Sequence, residues 1–297
     1  MKDFFKYLTP SEDDKDWGIH INVTGSSHVA PDVEYPLKAH PSGYYFSWNS
    51  GRILHEYQIL YITEGNGILE TKEGKYNLQP GSVILLTPGK WHRYRPNKNT
   101  GWTEYYIGFE GKIARHFLSN ALLKENLPVI HCGLHEEIIA CYNQAFDITQ
   151  KAKPGYQQVL SGVVIKLIGL ILSAIKNKEF SGKPIETIIE KTRQYLHDHY
   201  PENIDLEKLA ADNDIGYSYF RKMFKRFTGI SPGQYLLQVR ISKAKDLIIT
   251  TDQNIKDIAL ITGFDSIYYF SRVFKEKTGK TPIELRHNVL KPEEKEE

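Results

Sequence analysis

Short apolar runs separated by turn residues occupy the first third of the chain. Residues 59–63 (ILYIT) and 83–87 (VILLT) are rich in aliphatic and β-branched side chains. Gly65, Asn66 and Gly67 follow the first run, and Pro88 and Gly89 follow the second. Short strands bounded by such residues are typical of a β-sandwich or barrel. We therefore predict a β-domain that begins near residue 15 and ends near residue 115.

The pattern changes to a helical period from about residue 134. Two amphipathic stretches, 134–151 and 156–178, are separated by a Lys-Pro-Gly turn. The second stretch carries an apolar stripe with spacings of four, three and four residues: Leu160, Val164, Leu167 and Ile171. This stripe has two interpretations, since it could pack on the β-domain of its own chain or form the seam of a homodimer.

One motif occurs twice in the last hundred residues. Residues 219–232 recur at 269–282, with seven of fourteen positions identical. A short helical signal precedes each copy, and each copy leads into a capping box with proline at the first helical position. Gly263 suits the turn of the second unit, and Asn213 lies near the turn of the first. The pattern predicts two helix-turn-helix units.

The charge of the chain is concentrated on the second helix of each unit. The whole chain carries only +2, whereas residues 217–228 carry +4 and residues 266–280 carry +3. Two equivalent basic helices are suited to the major groove of double-stranded DNA. The residues predicted to face DNA are Ser218, Tyr219, Arg221, Lys222 and Lys225 in the first unit, and Ser266, Ile267, Tyr268, Ser271, Arg272 and Lys275 in the second.

Composition excludes several other classes of protein. Hydrophobic residues make up 40% of the chain and charged residues 25%, as in ordinary globular proteins. Two cysteines do not support a disulfide scaffold or a cysteine-based zinc site. The first residues are charged, and Lys166 interrupts the longest apolar run. We therefore expect a cytoplasmic protein with no membrane-spanning segment.

The repeat resembles the DNA-binding domain of the AraC/XylS family of bacterial transcription regulators. The most specific stretch is residues 259–282, ALITGFDSIYYFSRVFKEKTGKTP, and the resemblance covers residues 185–290. It implies that one long helix, from Ser231 to Thr250 and including Arg240, joins the two units. It also implies that the two reading helices enter successive major grooves, roughly 34 Å apart.

The first half resembles the cupin-like sensor barrel of the same family. The resemblance rests on residues 81–94, GSVILLTPGKWHRY, and residues 55–67, HEYQILYITEGNG. It implies a sensor and dimerisation domain over 1–180, with the barrel at about 15–115 and helices at about 134–178.

Similarity to the arabinose-sensing members implies a sugar site. Position by position, the residues that would hold the sugar are Glu64, His92, Tyr94 and Trp102. An indole can cover the apolar face of a pyranose, while carboxylate and imidazole groups bond its hydroxyls. Tyr45 and Tyr106 are further candidates. Glu64 stands where the family has an arginine, which argues against arabinose itself.

Metal catalysis, known in other cupins, is not supported by the sequence. A cupin metal site needs two histidines and a glutamate in the first motif and a histidine in the second. The matching positions here contain His55 and His92, and the first motif lacks its second histidine. We therefore predict a protein that is not an enzyme and has no metal or other cofactor.

These features together predict a ligand-responsive, homodimeric transcription regulator. The leading hypothesis is an activator of carbohydrate-utilisation genes, which binds a sugar or oligosaccharide in its barrel and, by family analogy, contacts RNA polymerase. The alternative is a stress or virulence regulator of the same family, whose barrel binds a non-sugar effector or serves only for dimerisation.

Overall fold

The chain divides into two compact units, Met1–Glu179 and Phe180–Glu297. This computed structural model describes residues 3–36, 44, 46–121 and 128–290. We refer to the two units as the N-terminal unit and the C-terminal unit.

The described strands of the N-terminal unit form two antiparallel sheets. The first has the strand order β1-β2-β9-β4-β7-β10, and the second has the order β3-β8-β5-β6. Their inner faces share one apolar core, so the sheets enclose an open barrel. The strands are β1 Phe4–Tyr7, β2 His20–Val29, β3 Arg52–Ile53, β4 Tyr57–Gly65, β5 Gly67–Thr71, β6 Lys75–Leu78, β7 Ser82–Leu86, β8 Trp91–Pro96, β9 Trp102–Glu110 and β10 Val129–His131.

Strand β9 shows how the first sheet serves two cores. Trp102 and Tyr106 belong to the core inside the barrel, whereas Tyr105, Ile107 and Phe109 belong to a core shared with helices. Successive side chains of a strand point to opposite faces, so both faces of this strand are buried. The barrel interior is therefore lined by every second residue of β9.

Four helices lie in the described part of the N-terminal unit. Ser11 begins α1 with a capping box, and α3 ends at Ala152 in the left-handed conformation. The helices are α1 Glu12–Asp16, α2 Lys112–Ala121, α3 Glu136–Lys151 and α4 Tyr156–Phe180. Side chains of α3 and α4 cover the outer face of the first sheet.

The apolar stripe of α4 packs on the sheet of its own chain. Leu160, Val164, Leu167 and Ile171 are at most 1% exposed and belong to the core beneath the first sheet. The prediction that these four residues form a dimer seam is therefore wrong. Residues with this burial have no surface left for a second chain, and the other interpretation of the stripe holds.

Helix α4 differs from the expectation that the chain has no segment able to span a membrane. By length and composition it could cross a bilayer, with a mean hydropathy of 2.1 in its most apolar window. The lysine at position 166 does not lower the hydropathy enough to prevent this. Packing against the sheet accounts for the apolar residues on one face of the helix.

Over residues 180–290 the C-terminal unit consists of seven helices. Two aromatic clusters, one around Phe220 and Phe224 and one around Phe270 and Phe274, are the cores of its two halves. The helices are α5 Pro184–Asp198, α6 Leu206–Ala211, α7 Tyr217–Thr228, α8 Pro232–Thr250, α9 Ile255–Ile261, α10 Ile267–Thr278 and α11 Pro282–Leu290. Helix α8 contributes side chains to both clusters and so links them.

Two helix-turn-helix units, α6–α7 and α9–α10, are present as predicted. Gly263 has a φ of 84° at the second turn. At the first turn the positive φ, 55°, belongs to Asp214 and not to Asn213. Asp tolerates this conformation for the same reason as Asn, since its short polar side chain bonds locally. The predicted fold class, a β-barrel followed by a double helix-turn-helix domain, is confirmed, with the barrel open.

Candidate functional site

Helices α7 and α10 each bury one face and expose a basic one. Phe220, Met223 and Phe224 of α7 are buried, as are the matching residues of α10. Neither helix has an acidic residue in its first turn. Of the eleven residues predicted to face DNA, nine are exposed, and Ile267 and Ser271 are partly exposed. The structure thus leaves all eleven side chains accessible to a groove.

Helix α10, which carries the second predicted DNA-binding face, has a serine cap at its start and a tyrosine ring beside its arginine. The Ser266 hydroxyl accepts a hydrogen bond from the backbone N–H of Tyr269. The guanidinium of Arg272 lies 5.6 Å from the centre of the Tyr269 ring. Tyr268 is 87% exposed. A guanidinium held over an aromatic face loses less rotamer freedom when it meets a base or phosphate.

Arg240 of α8 holds the two halves of the C-terminal unit together. Its Nε and Nη2 donate to the carbonyl oxygens of Tyr200 and Glu202, each at 2.7 Å. A Cβ atom at Gly263 would lie 2.8 Å from the oxygens of Tyr200 and Pro201, and 2.9 Å from Arg240 Nε. The loop before α6, the linking helix and the second turn therefore meet at one junction. This junction sets how the two reading helices are placed relative to each other.

Arg52 is the hydrogen-bonding centre of the barrel interior. Its Nε donates to His92 Nε2 at 3.2 Å, and its Nη2 donates to the Tyr94 hydroxyl at 2.6 Å. Its Nη1 donates to the carbonyl oxygen of Tyr44. The guanidinium also lies within about 5 Å of the Phe46 and Tyr94 ring centres. Each nitrogen of the guanidinium thus has an acceptor within the protein.

His92 is a neutral imidazole in this arrangement. Burial and the neighbouring Arg52 charge lower its pKa to about 4. Because Nε2 accepts from Arg52, the ring proton lies on Nδ1, which is 3.1 Å from the carbonyl oxygen of Lys90. His92 therefore acts as an acceptor toward the interior at neutral pH.

Glu104 places a carboxyl group among aromatic rings. It is 4% exposed, and the Tyr35 hydroxyl donates to its Oε1 at 3.2 Å. Burial raises the pKa of Glu104 to about 7, against the opposing effects of Tyr35 and Arg52. Within the described part of the chain, its Oε2 has no hydrogen-bond partner, and neither do Ser27 Oγ and Trp102 Nε1.

Glu56 is a second buried carboxylate with different surroundings. It accepts hydrogen bonds from Asn22 Nδ2 at 2.8 Å, Gln58 Nε2 at 2.7 Å and the Tyr44 hydroxyl at 3.2 Å. Burial raises its pKa, and these three donors act in the opposite direction. Both of its oxygens are engaged, so Glu56 is integrated into the barrel wall.

Aromatic side chains fill most of the interior. A cavity of about 20 Å³, roughly the room that one water molecule needs, lies among the described side chains. Its lining includes Tyr35, Tyr44, Phe46, Arg52, Tyr94, Glu104 and Tyr106. A ligand larger than water could bind here only if some of these rings moved.

The structure separates one predicted sugar-binding residue from the others. His92, Tyr94, Trp102 and Tyr106 all lie in or around the interior, whereas Glu64 is exposed. A register shift between Ile62 and Glu64 places Glu64 opposite Thr103, whose hydroxyl donates to it at 2.7 Å. Glu64 lines a separate surface cavity of about 660 Å³.

The assignment of Glu64 to the sugar site is therefore wrong. A β-bulge adds one residue to a strand and reverses the face to which the following side chains point. Tyr45 lies outside the described residues. Among the residues that the structure does describe, no group of three or more His, Cys, Asp or Glu could hold a metal ion.

Two known families match the chain in sequence. The family described as AraC-like ligand binding domain matches residues 33–168, and the one described as Helix-turn-helix domain matches residues 209–288. The chain is 25% identical to the MmsAB operon regulatory protein of Pseudomonas aeruginosa, over 80% of this chain and 77% of that protein. It is 27% identical to the arabinose operon regulatory protein of Escherichia coli, over 77% and 80%. It is 24% identical to the lactose operon transcription activator of Staphylococcus xylosus, over 83% and 87%.

The chain belongs to the AraC/XylS family of transcription regulators. As a member it is a DNA-binding transcription regulator with a ligand-binding domain. The relatives named above are regulators of transcription rather than enzymes. In this AraC/XylS regulator the two basic helices are the candidate DNA-binding site, and the barrel interior is the candidate ligand-binding site.

Sequence reasoning missed two polar residues of the barrel interior, Arg52 and Glu104. The sequence does indicate that Glu104 faces the interior, because Trp102, Glu104 and Tyr106 are two residues apart and share one face of a strand. Arg52 gave no such signal, because its strand has only two residues. Its position in the AraC/XylS regulator follows from the pairing of β3 with β8, which places Arg52 opposite His92.

Proposed function

We propose that this regulator controls carbohydrate-utilisation genes in response to a sugar or oligosaccharide bound inside the barrel. The observation that supports the proposal is the combination of aromatic rings and polar groups that lines the barrel interior. Indole and phenol rings from Trp102 and Tyr94 lie beside an arginine, a neutral histidine and a carboxyl group. Flat rings with a few polar groups suit the alternating C–H and O–H surface of a sugar. Two relatives named above regulate arabinose and lactose operons.

Binding would be coupled to a change in the barrel wall. The sugar must displace rings such as Tyr35, Tyr44 and Phe46, since the cavity of about 20 Å³ is too small for it. A ligand that binds only the displaced arrangement shifts the population toward it. We place the sensor over residues 1–180 and the DNA-binding domain over 185–290. The proposed output is activation through contact with RNA polymerase.

We also propose that the regulator is a homodimer, with a seam different from the one predicted from the apolar stripe. The outward side of α4 has exposed apolar residues, Val159 at 54% and Ile165 at 42%. Gly162 and Gly169 lie on the same side, with open space where a Cβ would be. Small residues allow two helices to approach closely, so this side suits a helix of a second copy.

Intrinsic fluorescence tests the sugar proposal directly. All four tryptophans lie within the first 102 residues, so emission reports on the N-terminal unit alone. We expect a saturable change in emission, with a matching rise in Tm, for at least one member of a panel of mono- and oligosaccharides. Trp102→Phe, which preserves most of the buried volume, should reduce this affinity, and Trp17→Phe at an exposed site should not.

A second candidate function is a regulator whose barrel serves only for dimerisation. The observation in its favour is the small cavity, which the rings of the chain already fill. This candidate predicts no change in emission or Tm with any sugar or small-molecule effector. Saturable binding of a ligand that Trp102→Phe weakens would exclude it.

A further inference from the structure

Three buried polar atoms in the barrel interior have no hydrogen-bond partner among the residues that the structure describes. They are Oε2 of Glu104, Oγ of Ser27 and Nε1 of Trp102. Each belongs to a residue that is at most 6% exposed. Buried polar groups in folded proteins are nearly always hydrogen-bonded, so three partnerless atoms in one place require an explanation.

Strand register brings the three residues together. Ser27 of β2 is directly opposite Glu104 of β9, and Val29 is opposite Trp102. Trp102 and Glu104 are two residues apart, so their side chains share the inner face of β9. Directly opposed residues have Cβ atoms about 5 Å apart. The three residues therefore belong to one patch of the barrel wall.

The other charged groups of the interior have their partners. Arg52 donates from all three guanidinium nitrogens to His92, Tyr44 and Tyr94. Glu56 accepts from three side chains. Among the described residues of the interior, Oε2 of Glu104 is thus the carboxyl oxygen that remains without a hydrogen-bond donor. Keeping it buried lowers stability, which is typical of a group retained for binding rather than for folding.

We propose that the effector donates a hydrogen bond from a hydroxyl or ammonium group to Glu104 Oε2, accepts one from Trp102 Nε1, and carries no anionic group at this end. Ser27 can donate or accept and completes the set. Vicinal hydroxyls, or an amine beside a hydroxyl, meet these requirements. Phosphorylated and acidic sugars would place a negative charge against a carboxylate. The inference rests on the proposed function, because it assumes that the barrel interior is the effector site.

The first test needs no ligand and compares two isosteric changes in the same barrel. At pH 8 we expect Glu104→Gln to have a Tm equal to or above that of the wild type, because it removes a charge with an unpaired oxygen. Glu56→Gln is the matched control and should lower the Tm, because its new NH₂ group would face the donors of Asn22, Gln58 or Tyr44. A loss of Tm in Glu104→Gln as large as in Glu56→Gln would make Glu104 a structural residue and overturn the inference.

The second test uses ligands matched in shape and different in charge. The carbohydrate set is glucose, glucosamine and glucuronate, with the same three forms of galactose, and the non-carbohydrate set is benzyl alcohol, benzylamine and benzoate. Binding is followed by tryptophan emission. Neutral or amine members should bind, and Glu104→Gln should weaken them about tenfold or more, as expected for loss of a charge-assisted hydrogen bond.

The two sets keep failure of the proposed function distinct from failure of this inference. Binding of neutral or amine members of the non-carbohydrate set alone would reject the sugar effector and support the role of Glu104. Preferential binding of an acidic member, or equal affinities in the wild type and Glu104→Gln, would overturn the role of Glu104. Absence of binding by every compound in both sets and in the panel of mono- and oligosaccharides would overturn both proposals.

Discussion

His92 is held in one protonation state by the groups on its two sides. Arg52 donates to Nε2 and the carbonyl of Lys90 faces Nδ1, so a second ring proton would have to point at a guanidinium. Burial is the largest cause of its lowered pKa, and the Arg52 charge adds to it. A histidine of this kind does not act as a pH sensor in the physiological range, where unperturbed histidines do.

We predict that His92 titrates with a pKa of about 4. The measurement is an NMR titration of the imidazole resonances, with the His92 signal assigned by its loss in His92→Gln. Because the folded pKa lies below the usual value, His92 contributes stability that is present above about pH 6.5 and lost as the pH falls toward 4. A midpoint near 6.5 would contradict the neutral, buried arrangement.

Glu104 has the opposite dependence on pH. Its pKa rises from 4.5 to about 7, so the folded state binds a proton more tightly than the unfolded state between these values. Stability from this group is therefore lost as the pH rises from about 4.5 to 7. The charged and titratable groups that act on it are Arg52, Tyr35, Tyr94, Tyr106 and Asp3.

We expect the Tm difference between Glu104→Gln and the wild type to grow across this range of pH. Between pH 4.5 and 8 the difference should change by about 2 °C or more in favour of the variant, given about 1.4 kcal/mol per unit of pKa and the usual size dependence of Tm. Thermal unfolding at intervals from pH 4.5 to 8 measures it. The comparison with the wild type at each pH cancels the contribution of His92. A difference that is constant over the range would contradict the raised pKa of Glu104.

Arg272 is the residue of α10 best placed to meet DNA, since its exposed guanidinium is supported by the Tyr269 ring. Arg272→Ala should weaken specific binding by about tenfold or more, as expected for one base or phosphate contact. The measurement is a low-salt titration with DNA that the wild type selects from a random pool. Lys153→Ala removes one charge from the N-terminal unit and should have no effect. Unchanged affinity of Arg272→Ala at low salt would reject its role.

At the scale of elements, the junction between α8, the loop before α6 and the second turn can be tested through glycine. Gly263 and Gly279 have nearly the same φ, 84° and 79°. The conformational free-energy cost of placing alanine at a positive φ is therefore about equal at the two positions. Only at Gly263 would the new methyl group meet backbone oxygens, at 2.8 Å, whereas nothing lies within 4 Å of Gly279.

Gly263→Ala should therefore destabilise the C-terminal unit by about 1 kcal/mol or more beyond the effect of Gly279→Ala. Chemical denaturation followed by circular dichroism gives both values. Gly263→Ala should also lower affinity for DNA that carries two half-sites more than for DNA that carries one, because the junction positions both reading helices. Equal stability of the two variants would mean that the close approach has no energetic role.

Strand β4 illustrates where prediction from sequence stops at this scale. Its apolar run and its turn identify it as a strand, and the structure has Tyr57–Gly65 there. The bulge after Ile62 has no signal in the sequence, yet it turns Glu64 away from the interior. The bulge depends on the partner strand β9, so only the paired sheet determines which side chains at the end of β4 reach the site.

At the scale of the whole molecule, the outward side of α4 is the surface proposed for dimerisation. Ile165→Glu places a charge at its centre and should convert a dimer into monomers of 34.3 kDa. Light scattering after size exclusion measures the mass. Ile283→Glu makes the same change at another exposed isoleucine, in the C-terminal unit, and should leave the dimer intact. A dimeric Ile165→Glu, or a monomeric wild type, would reject this seam.

The sequence by itself determined the double helix-turn-helix domain, because its signals are local. Repeat spacing, capping boxes, glycine at a turn and basic faces all act within a few residues, and the structure follows them in α6, α7, α9 and α10. The tertiary structure alone decided the barrel interior. Arg52, Glu104 and Ser27 come from three strands that are distant in sequence, and strand pairing with two register shifts determines which side chains meet. Such contacts have no local period, so no pattern along the chain predicts them.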